Sequence, residues 1–565
     1  MIRVLSVEQI RQVETAADAA GTPFDEMMMN AGTAVARRVL DTIATLPDPN
    51  EARVTLLIGP GKNGGDGLVA GRVIAENSSA LVRFYLLARR DEADPHFKAV
   101  SDAGLFIAYA EDDQRFRVLT NQIASAHVLV DALFGIGVTL PLRDNAAKLL
   151  RAVNKALIET ELDPSRPLRL TAPTPQRGAR PTIIAVDCPS GLDCDTGEID
   201  KNALVADETV TFIAAKPGLF SFPGANAVGA LTVASAGVPA NTEGLKDALY
   251  SVADPASVHE LLPERPAGSN KGTFGKALIL GGSVNYMGAP GLAARAAYRS
   301  GAGLVTIGAP APTVAALAGT ILETTWLLFP HDMGVLAASA APLIREEAAS
   351  YSVMLIGPGW GHEKTTGELL TRLLSGDTPQ PGARRAMGFG GAPATAEQSA
   401  VSAKLPPLVI DADGLNLLAE IDEWWKLLPE NTVITPHPGE MARLAKTTTD
   451  DVQASRWQIA EEKAREWNVI LVLKGAHTLI AAPDGRVTVL PFKTSALAKA
   501  GTGDVLAGTI AGFIAQKLAP FDAAVVGGYL HGLAGEQAAQ KLGSERSVAA
   551  EDVVEALADA FRLLQ

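Results

Sequence analysis

Apolar residues along the chain fall into short, nearly continuous runs, and stretches of helical spacing separate many of them. Between Arg53 and about Gly237 the runs are RVTLLI, LVRFYLLA, HVLVDALFG, TIIAVDCPSG and ETVTFIAA, with DGLVAGRVIAE and NAAKLLRAVNKALIE spaced as helices among them. Strands apolar at consecutive positions are buried on both faces, so these runs predict a parallel sheet covered by helices on each side. The pattern weakens over 238–268. It resumes with KALILGGS, LVTIGA, VMLIGPGWG, LVIDADGLNLL, TVITPHPGEMARL and VILVLKGAHTLIAAPDGRVTVLP, the last a hairpin with PDG at its turn. The chain ends in helical spacing. The fold class is therefore α/β in two domains, one over 1–240 and one over 250–565, divided near residue 245. At the N-terminus Ser6, with Gln9 three residues on, predicts a capped helix. Residues 161–181, rich in proline and arginine, read as an extended surface insertion, and 376–405 as a second, low-order one.

Composition narrows the class. The chain of 565 residues is 47% hydrophobic and carries a net charge of −14, which leaves material for two cores and predicts no nucleic-acid or anionic-membrane surface. The two cysteines, Cys188 and Cys194, have no neighbouring histidine and read as reduced thiols. With no apolar h-region at the start and no uninterrupted apolar span, a cytoplasmic location is expected.

Candidate chemistry sits at the ends of the apolar runs. GPGKNGGDG (59–67) satisfies G-x-G-x-x-G after a strand, and Asp91 stands where a ribose-binding acid would. Against a pyrophosphate, Asp66 places a carboxylate at the head of the following helix. The alternative is a cation loop, because Asn63 and Asp66 offer hard oxygen donors. Asp131 in VDALFGIG, and Asp187 with Ser190 in VDCPSG, end two further strands that converge on the same crevice.

In the second half, AGTGDVLAGTIAGF (500–513) is a glycine loop entering a helix, with Gly501 and Gly503 opening the backbone to an anion. Asp504 makes a poor phosphate neighbour but a good base for a hydroxyl. LKGAHT (473–478) adds Lys474 at a strand end. VIDADGLN and ITPHPGEMARL bring Asp411, Asp413, Asn416, His437 and Glu440, with His437 held between two prolines. GPGWG and GGSVNYMGAP supply further glycine-rich strand ends.

GKNGGDG, DALFGIG and VDCPSGLDCDTG, in this order, resemble the YjeF N-terminal domain, an NAD(P)H-hydrate epimerase with a Rossmann-like three-layer αβα fold. The resemblance implies a K⁺ ion at Asn63, Asp131 and Ser190. It implies a hydrated nicotinamide lined by Lys62, Asn63, Gly64, Gly65 and Asp66, by Gly135, Ile136, Gly137, Val138, Thr139, Leu140 and Pro141, and by Asp187 as acid/base. Lys62 replaces the family's usual asparagine and Met29 a usual acid, so the contact at 62 is open. The second half resembles the ribokinase-like ADP- or ATP-dependent NAD(P)H-hydrate dehydratases, over about 255–565, through GTGDVLAG, GPGWG, DADGLN, TPHPGEMARL and LKGAHT. That implies Asp504 as catalytic base and Ala289, Gly359, His437 and Asp504 around the hydrate. It implies the nucleotide on Lys474, Gly475, Ala476, His477, Thr478, Gly501, Thr502 and Gly503, with Mg²⁺ on its phosphates. Trp360, where leucine is common, is expected to alter the pocket's shape.

The resulting expectation is a homo-oligomeric bifunctional enzyme. It epimerises R and S hydrates of NADH and NADPH and dehydrates the S form at the expense of ADP or ATP. Two alternatives stand beside it: a small-molecule kinase fused to a dinucleotide reductase, and a first half that serves as a non-enzymatic scaffold.

Overall fold

A computed structural model describes residues 1–161, 180–376 and 404–564, so the insertions expected at 161–181 and 376–405 lie almost wholly outside the described residues. The chain forms two compact units, Ile2–Tyr250 and Ser251–Gln565 with Met1.

In the first unit the strands are β1 (Arg53–Ile58), β2 (Leu81–Leu86), β3 (Phe106–Tyr109), β4 (Val128–Ala132), β5 (Thr182–Val186), β6 (Glu208–Phe212) and β7 (Ala230–Ala234). They lie parallel in the order β3-β2-β1-β4-β5-β6-β7. Along β1, Val54, Leu56 and Ile58 pack with α2 (Phe24–Ala44) and α3 (Lys62–Asn77), while Leu57 packs with α4 (Asp144–Glu161) on the other face. Alternate side chains thus serve opposite cores, the three-layer arrangement expected of strands apolar throughout. The order reverses between β1 and β4, where Ile58 faces Ala132 across the ladder. Loops leaving two such strands diverge and open a crevice at their C-terminal ends. Helix α1 (Val7–Ala19) begins with the predicted box, Gln9 N donating to Ser6 Oγ at 3.2 Å and Ser6 N to Gln9 Oε1 at 2.9 Å.

In the second unit the strands are β8 (Lys276–Leu280), β9 (Leu304–Ala309), β10 (Thr325–Leu328), β11 (Val353–Ile356), β12 (Leu408–Ile410), β13 (Val433–Ile434), β14 (Ile470–Leu473), β15 (Leu479–Ala481) and β16 (Val487–Val489). Their order, β10-β9-β8-β11-β12-β13-β14-β15-β16, repeats the reversal at β8 and β11. β14 to β16 are antiparallel, and the β15–β16 turn carries Gly485 at φ +92°, which completes the predicted hairpin. The core on one face joins Ala277, Ile307 and Val409 to α5 (Ala289–Arg299), α8 (Thr502–Ala515), α9 (Pro520–Leu542) and α10 (Ala550–Leu564). Among the helices between these, two short ones, α6 (Asp413–Leu418) and α7 (Pro438–Leu444), each start beyond a strand end. Among the described residues no helix is long and apolar enough to cross a membrane.

Candidate functional sites

The first unit holds a cavity of about 560 Å³ at the β1/β4 reversal. The glycine loop does not lie open for a pyrophosphate. Helix α3 starts at Lys62, so Asn63 to Asp66 form its first turn. A Cβ at Gly59 would fall 1.8 Å from Leu133 O, one at Gly64 2.0 Å from Gly59 O, and one at Gly67 2.5 Å from Ala132 Cβ. Those glycines let the helix pack directly on the strand ends. Asp91 is exposed and accepts from Ala93 N at 2.9 Å, closing a turn. The dinucleotide-cofactor pattern is therefore met in letters only.

Lys62, 71% exposed, reaches back to Glu14 at 3.4 Å and lies over the Phe24 ring at 4.5 Å. Its ammonium stands at the lip of the cavity against α1, which answers where the substituted residue points. Asn63 is buried, and among the described residues neither its Oδ1 nor its Nδ2 has a hydrogen-bond partner. Beside it runs Gly135: a Cβ there would stand 3.1 Å from Asn63 Oδ1 and 3.0 Å from Asp187 Oδ2. Asp66 has its carboxyl pushed well above the usual range by burial, then by the charges of Asp187 and Glu14.

Asp131 is fully buried, accepting from Ser190 Oγ at 2.6 Å and Ser190 N at 2.7 Å. Burial pushes its carboxyl up to about 6, and those hydrogen bonds hold it from rising further. Asp187 sits at φ +66°, outside β5, with Oδ1 accepting from Lys216 Nζ at 2.6 Å and Thr211 Oγ1 at 3.1 Å. Its Oδ2 accepts from Ile136 N at 3.3 Å, so the carboxylate is gripped from the far side of the cavity.

Of the residues expected here, Lys62, Asn63, Asp66, Gly135, Ile136, Gly137, Val138 and Asp187 line the cavity. Gly64 and Gly65 are buried in the helix turn, Thr139 and Pro141 are exposed beyond the wall, and Asp131 with Ser190 is buried. Lys216 and Thr211 were missed. The signal was Lys216 alone after ETVTFIAA, a lysine at the end of a buried parallel strand and 1% exposed in the fold. Cys188 and Cys194 are free and buried.

In the second unit two cavities share the walls Lys474, Gly475, Thr502 and Gly503. One, about 170 Å³, adds Ala476, Thr478 and His531; the other, about 440 Å³, adds Asp411, His437, Gly501 and Asp504. Gly501 at φ +90° turns the chain into α8. Lys474 Nζ lies 2.7 Å from Asp411 Oδ1 and 3.6 Å from Glu440 Oε2, and Thr435 Oγ1 donates to Asp411 Oδ1 at 2.6 Å. Burial, then the charge of Asp411, pushes the Asp504 carboxyl up to about 7, against the pull of Lys474.

His437 caps α7: its Nδ1 accepts from Gly439 N at 3.0 Å and Glu440 N at 3.3 Å, while Glu440 Oε2 accepts from His437 N at 2.8 Å. Burial and the nearby Lys474 and Arg443 hold its pKa below the usual value, which keeps the ring neutral. Gly359, at φ +66°, stands beside Ala289, whose Cβ would be 3.2 Å from a Cβ placed on it.

Two expectations change. His477 does not line either cavity; it is buried, with Nδ1 3.2 Å from Leu490 O. Trp360 is 1% exposed and donates Nε1–H to Leu280 O at 2.8 Å, so it anchors a strand end instead of shaping the pocket.

Comparison with known proteins agrees with this division. Residues 24–218 match the family model described as YjeF-related protein N-terminus, and residues 277–380 and 386–558 the model described as NAD(P)H-hydrate dehydratase. The chain is 35% identical to the bifunctional NAD(P)H-hydrate repair enzyme of Moorella thermoacetica, over 96% of this chain and 93% of that one. Its identity to the enzyme of the same name from Thermofilum pendens is 33%, over 96% and 93%. Among solved structures, the ADP/ATP-dependent NAD(P)H-hydrate dehydratase of Bacillus subtilis matches at 28% identity and TM-score 0.44, covering 56% of this chain and 99% of that one. Identity at this level across nearly the whole of both chains, with a model matched in each half, assigns the chain to the family of bifunctional NAD(P)H-hydrate repair enzymes.

Proposed function

We propose that this protein repairs hydrated NADH and NADPH. Residues 1–240 epimerise the R and S hydrates, and residues 250–565 dehydrate the S hydrate at the expense of ADP or ATP. The observation that carries the reading is Asp504: a half-buried carboxyl that burial pushes up to about 7, on the wall of the cavity it shares with Lys474, His437 and Gly501. One cavity suits a nucleotide and the other the hydrated ring.

Hydroxide is a poor leaving group, so the C6 hydroxyl is first phosphorylated. Asp504 accepts the hydroxyl proton as the oxygen attacks the terminal phosphorus, and ADP leaves as AMP or ATP as ADP. The C6–O bond then breaks, phosphate departs and a proton is lost from C5, which restores the dihydronicotinamide. Lys474 and the amides of Gly501, Thr502 and Gly503 would stabilise the charge on the transferring group. Neutral His437, with Ala289 and Gly359, would orient the hydrate. Asp411 and Glu440 are paired with Lys474, and among the described residues no group of three acids, histidines or cysteines is placed to hold a metal, so Mg²⁺ would come on the nucleotide phosphates and supply charge neutralisation there.

In the epimerase half, inverting C6 requires ring opening or loss and return of water, and either needs a proton carried on and off. Asp187 faces the cavity and does this, with Lys216 beside it in the same wall balancing the charge. The oxygens of Asn63, Asp131 and Ser190 are hard donors, and the unpartnered Asn63 Oδ1 fits an alkali cation. K⁺ bound there would fix the Asn63 amide and add positive charge near the substrate. The setting we propose is a homo-oligomer in the cytoplasm.

The test is regeneration of NADH from mixed R and S hydrates with ADP or ATP, following both epimers and subtracting spontaneous epimerisation. Complete conversion supports both activities, whereas conversion of S alone sinks the epimerase assignment. Asp504→Ala should abolish nucleotide-dependent regeneration and spare epimerisation; dehydration that survived would remove Asp504 from its role.

A further inference from the structure

A third cleft in the second unit has no role in the chemistry above. It is an open, solvent-facing cleft of about 540 Å³ lined by His362, Asn416, Ala419, Glu420 and Arg443. Arg443 Nε donates to Asn416 Oδ1 at 2.8 Å, which fixes the plane of an exposed guanidinium. A fixed, solvent-facing guanidinium presents its remaining N–H groups as a fork suited to phosphate oxygens. The cleft also borders the reacting centre through two residues. On one side, Asp413 holds His362 Nε2 at 3.0 Å and Gly361 N at 2.9 Å, and its charge raises the Asp504 carboxyl. On the other, a Cβ at Gly439 would stand 3.0 Å from His437 Cε1 and 3.9 Å from Arg443 Nη1. His437 and Arg443 thus flank the same glycine.

We propose that this cleft binds the phosphate-bearing part of the hydrated dinucleotide, with Arg443 pairing to a phosphate and Asn416 as its positioning residue. The proposal rests on the dehydratase reading and extends it. A dinucleotide whose nicotinamide lies at His437 and Asp504 has its diphosphate and second nucleoside still to place. The cleft beside His437 offers the cation for the first. Glu420, the acidic residue of the wall, offers an acceptor for ribose hydroxyls. A helix-end arginine satisfying only the α7 dipole would need no partner such as Asn416 to orient it.

The test compares Arg443→Ala and Arg443→Lys with wild type on three S-hydrates: those of NADH, of reduced nicotinamide mononucleotide and of reduced nicotinamide riboside, which carries no phosphate. On the NADH hydrate, Arg443→Ala should lower kcat/KM roughly 10- to 100-fold, the range for loss of a charge-assisted hydrogen bond, mainly through KM. On the riboside hydrate it should match wild type, and the KM for ADP or ATP should not change. Arg443→Lys should recover part of the loss. Equal loss on the riboside hydrate, no loss on the NADH hydrate, or a raised nucleotide KM overturns the proposal. A wild-type protein inactive on all three hydrates would instead reject the dehydratase reading.

Discussion

Lys216 Nζ lies 2.6 Å from Asp187 Oδ1 and 2.6 Å from Thr211 Oγ1, with the lysine almost wholly buried. A buried ammonium is retained only where carboxylate and hydroxyl partners compensate its desolvation, and here both members of the ion pair line the cavity. Lys216→Met leaves Asp187 without its counter-charge. The expected result is loss of epimerisation with dehydration of the S hydrate intact, and destabilisation of about 3 kcal/mol, the usual cost of breaking a buried pair. Denaturant unfolding and the two-epimer assay measure each part; an active variant would show the pair to be structural only.

Asn63 and Gly135 give a second prediction. Because nothing among the described residues bonds the Asn63 amide, Asn63→Ala should unfold at or above the wild-type temperature without K⁺. Wild type should gain thermal stability as K⁺ is titrated, since a ligand of the native state stabilises it by mass action, and the variant should gain less. Gly135→Ala puts a methyl 3.0 Å from Asp187 Oδ2 and should cut epimerisation at least tenfold at little cost in melting temperature. Equal K⁺ responses in wild type and Asn63→Ala would remove Asn63 from the ion site.

The pH dependence of dehydration follows from Asp504. A base must be ionised, so kcat/KM should rise with pH through about 7 and level off above it. The stability trend has the opposite sense. The folded-state pKa is raised, so the folded protein holds more protons than the unfolded chain between the ordinary value of 3.8 and about 7. Stability contributed by this group is full below that window and is lost as pH rises through it. Asp504→Asn should therefore melt higher than wild type at pH 8, with no difference below pH 4. A flat rate profile between pH 6 and 8 would exclude Asp504 as the titrating base.

Trp360→Leu tests whether the tryptophan serves the fold or the substrate. It removes the Nε1–H bond to Leu280 O and leaves space in the core, which should cost about 2–3 kcal/mol. The KM for hydrate and nucleotide should stay within about twofold of wild type, as befits a side chain that does not reach either cavity. Unchanged stability with a raised hydrate KM would return Trp360 to the pocket wall.

Local pattern determined much of this protein. The apolar runs predicted the parallel sheet of the first unit and the α/β class of the second, because strands buried on two faces are apolar at consecutive positions, and PDG predicted its hairpin through the turn's demand for a left-handed residue. Ser6 with Gln9 predicted the first helix cap, a contact of three residues' span. The strand-end motifs named Asp187 and Lys474, since in such sheets the C-terminal ends of neighbouring strands share one crevice, and the glycine loop entering a helix named Asp504.

Contacts between distant segments were decided by tertiary structure alone. Lys216 reaches an aspartate 29 residues away, and Lys474 an aspartate 63 residues away. No local spacing encodes those pairs, because strand order sets them. The same holds for Lys62 on Glu14, for Trp360 beneath β8 and for His477 turned inward. In GPGKNGGDG the letters permit two ligands, with Asp66 counting against the pyrophosphate. The backbone of Leu133 and Gly59 fills the space where a Cβ on Gly59 or Gly64 would stand, and Asn63 is left with its amide unpartnered, because a helix packed this closely has no other use for it.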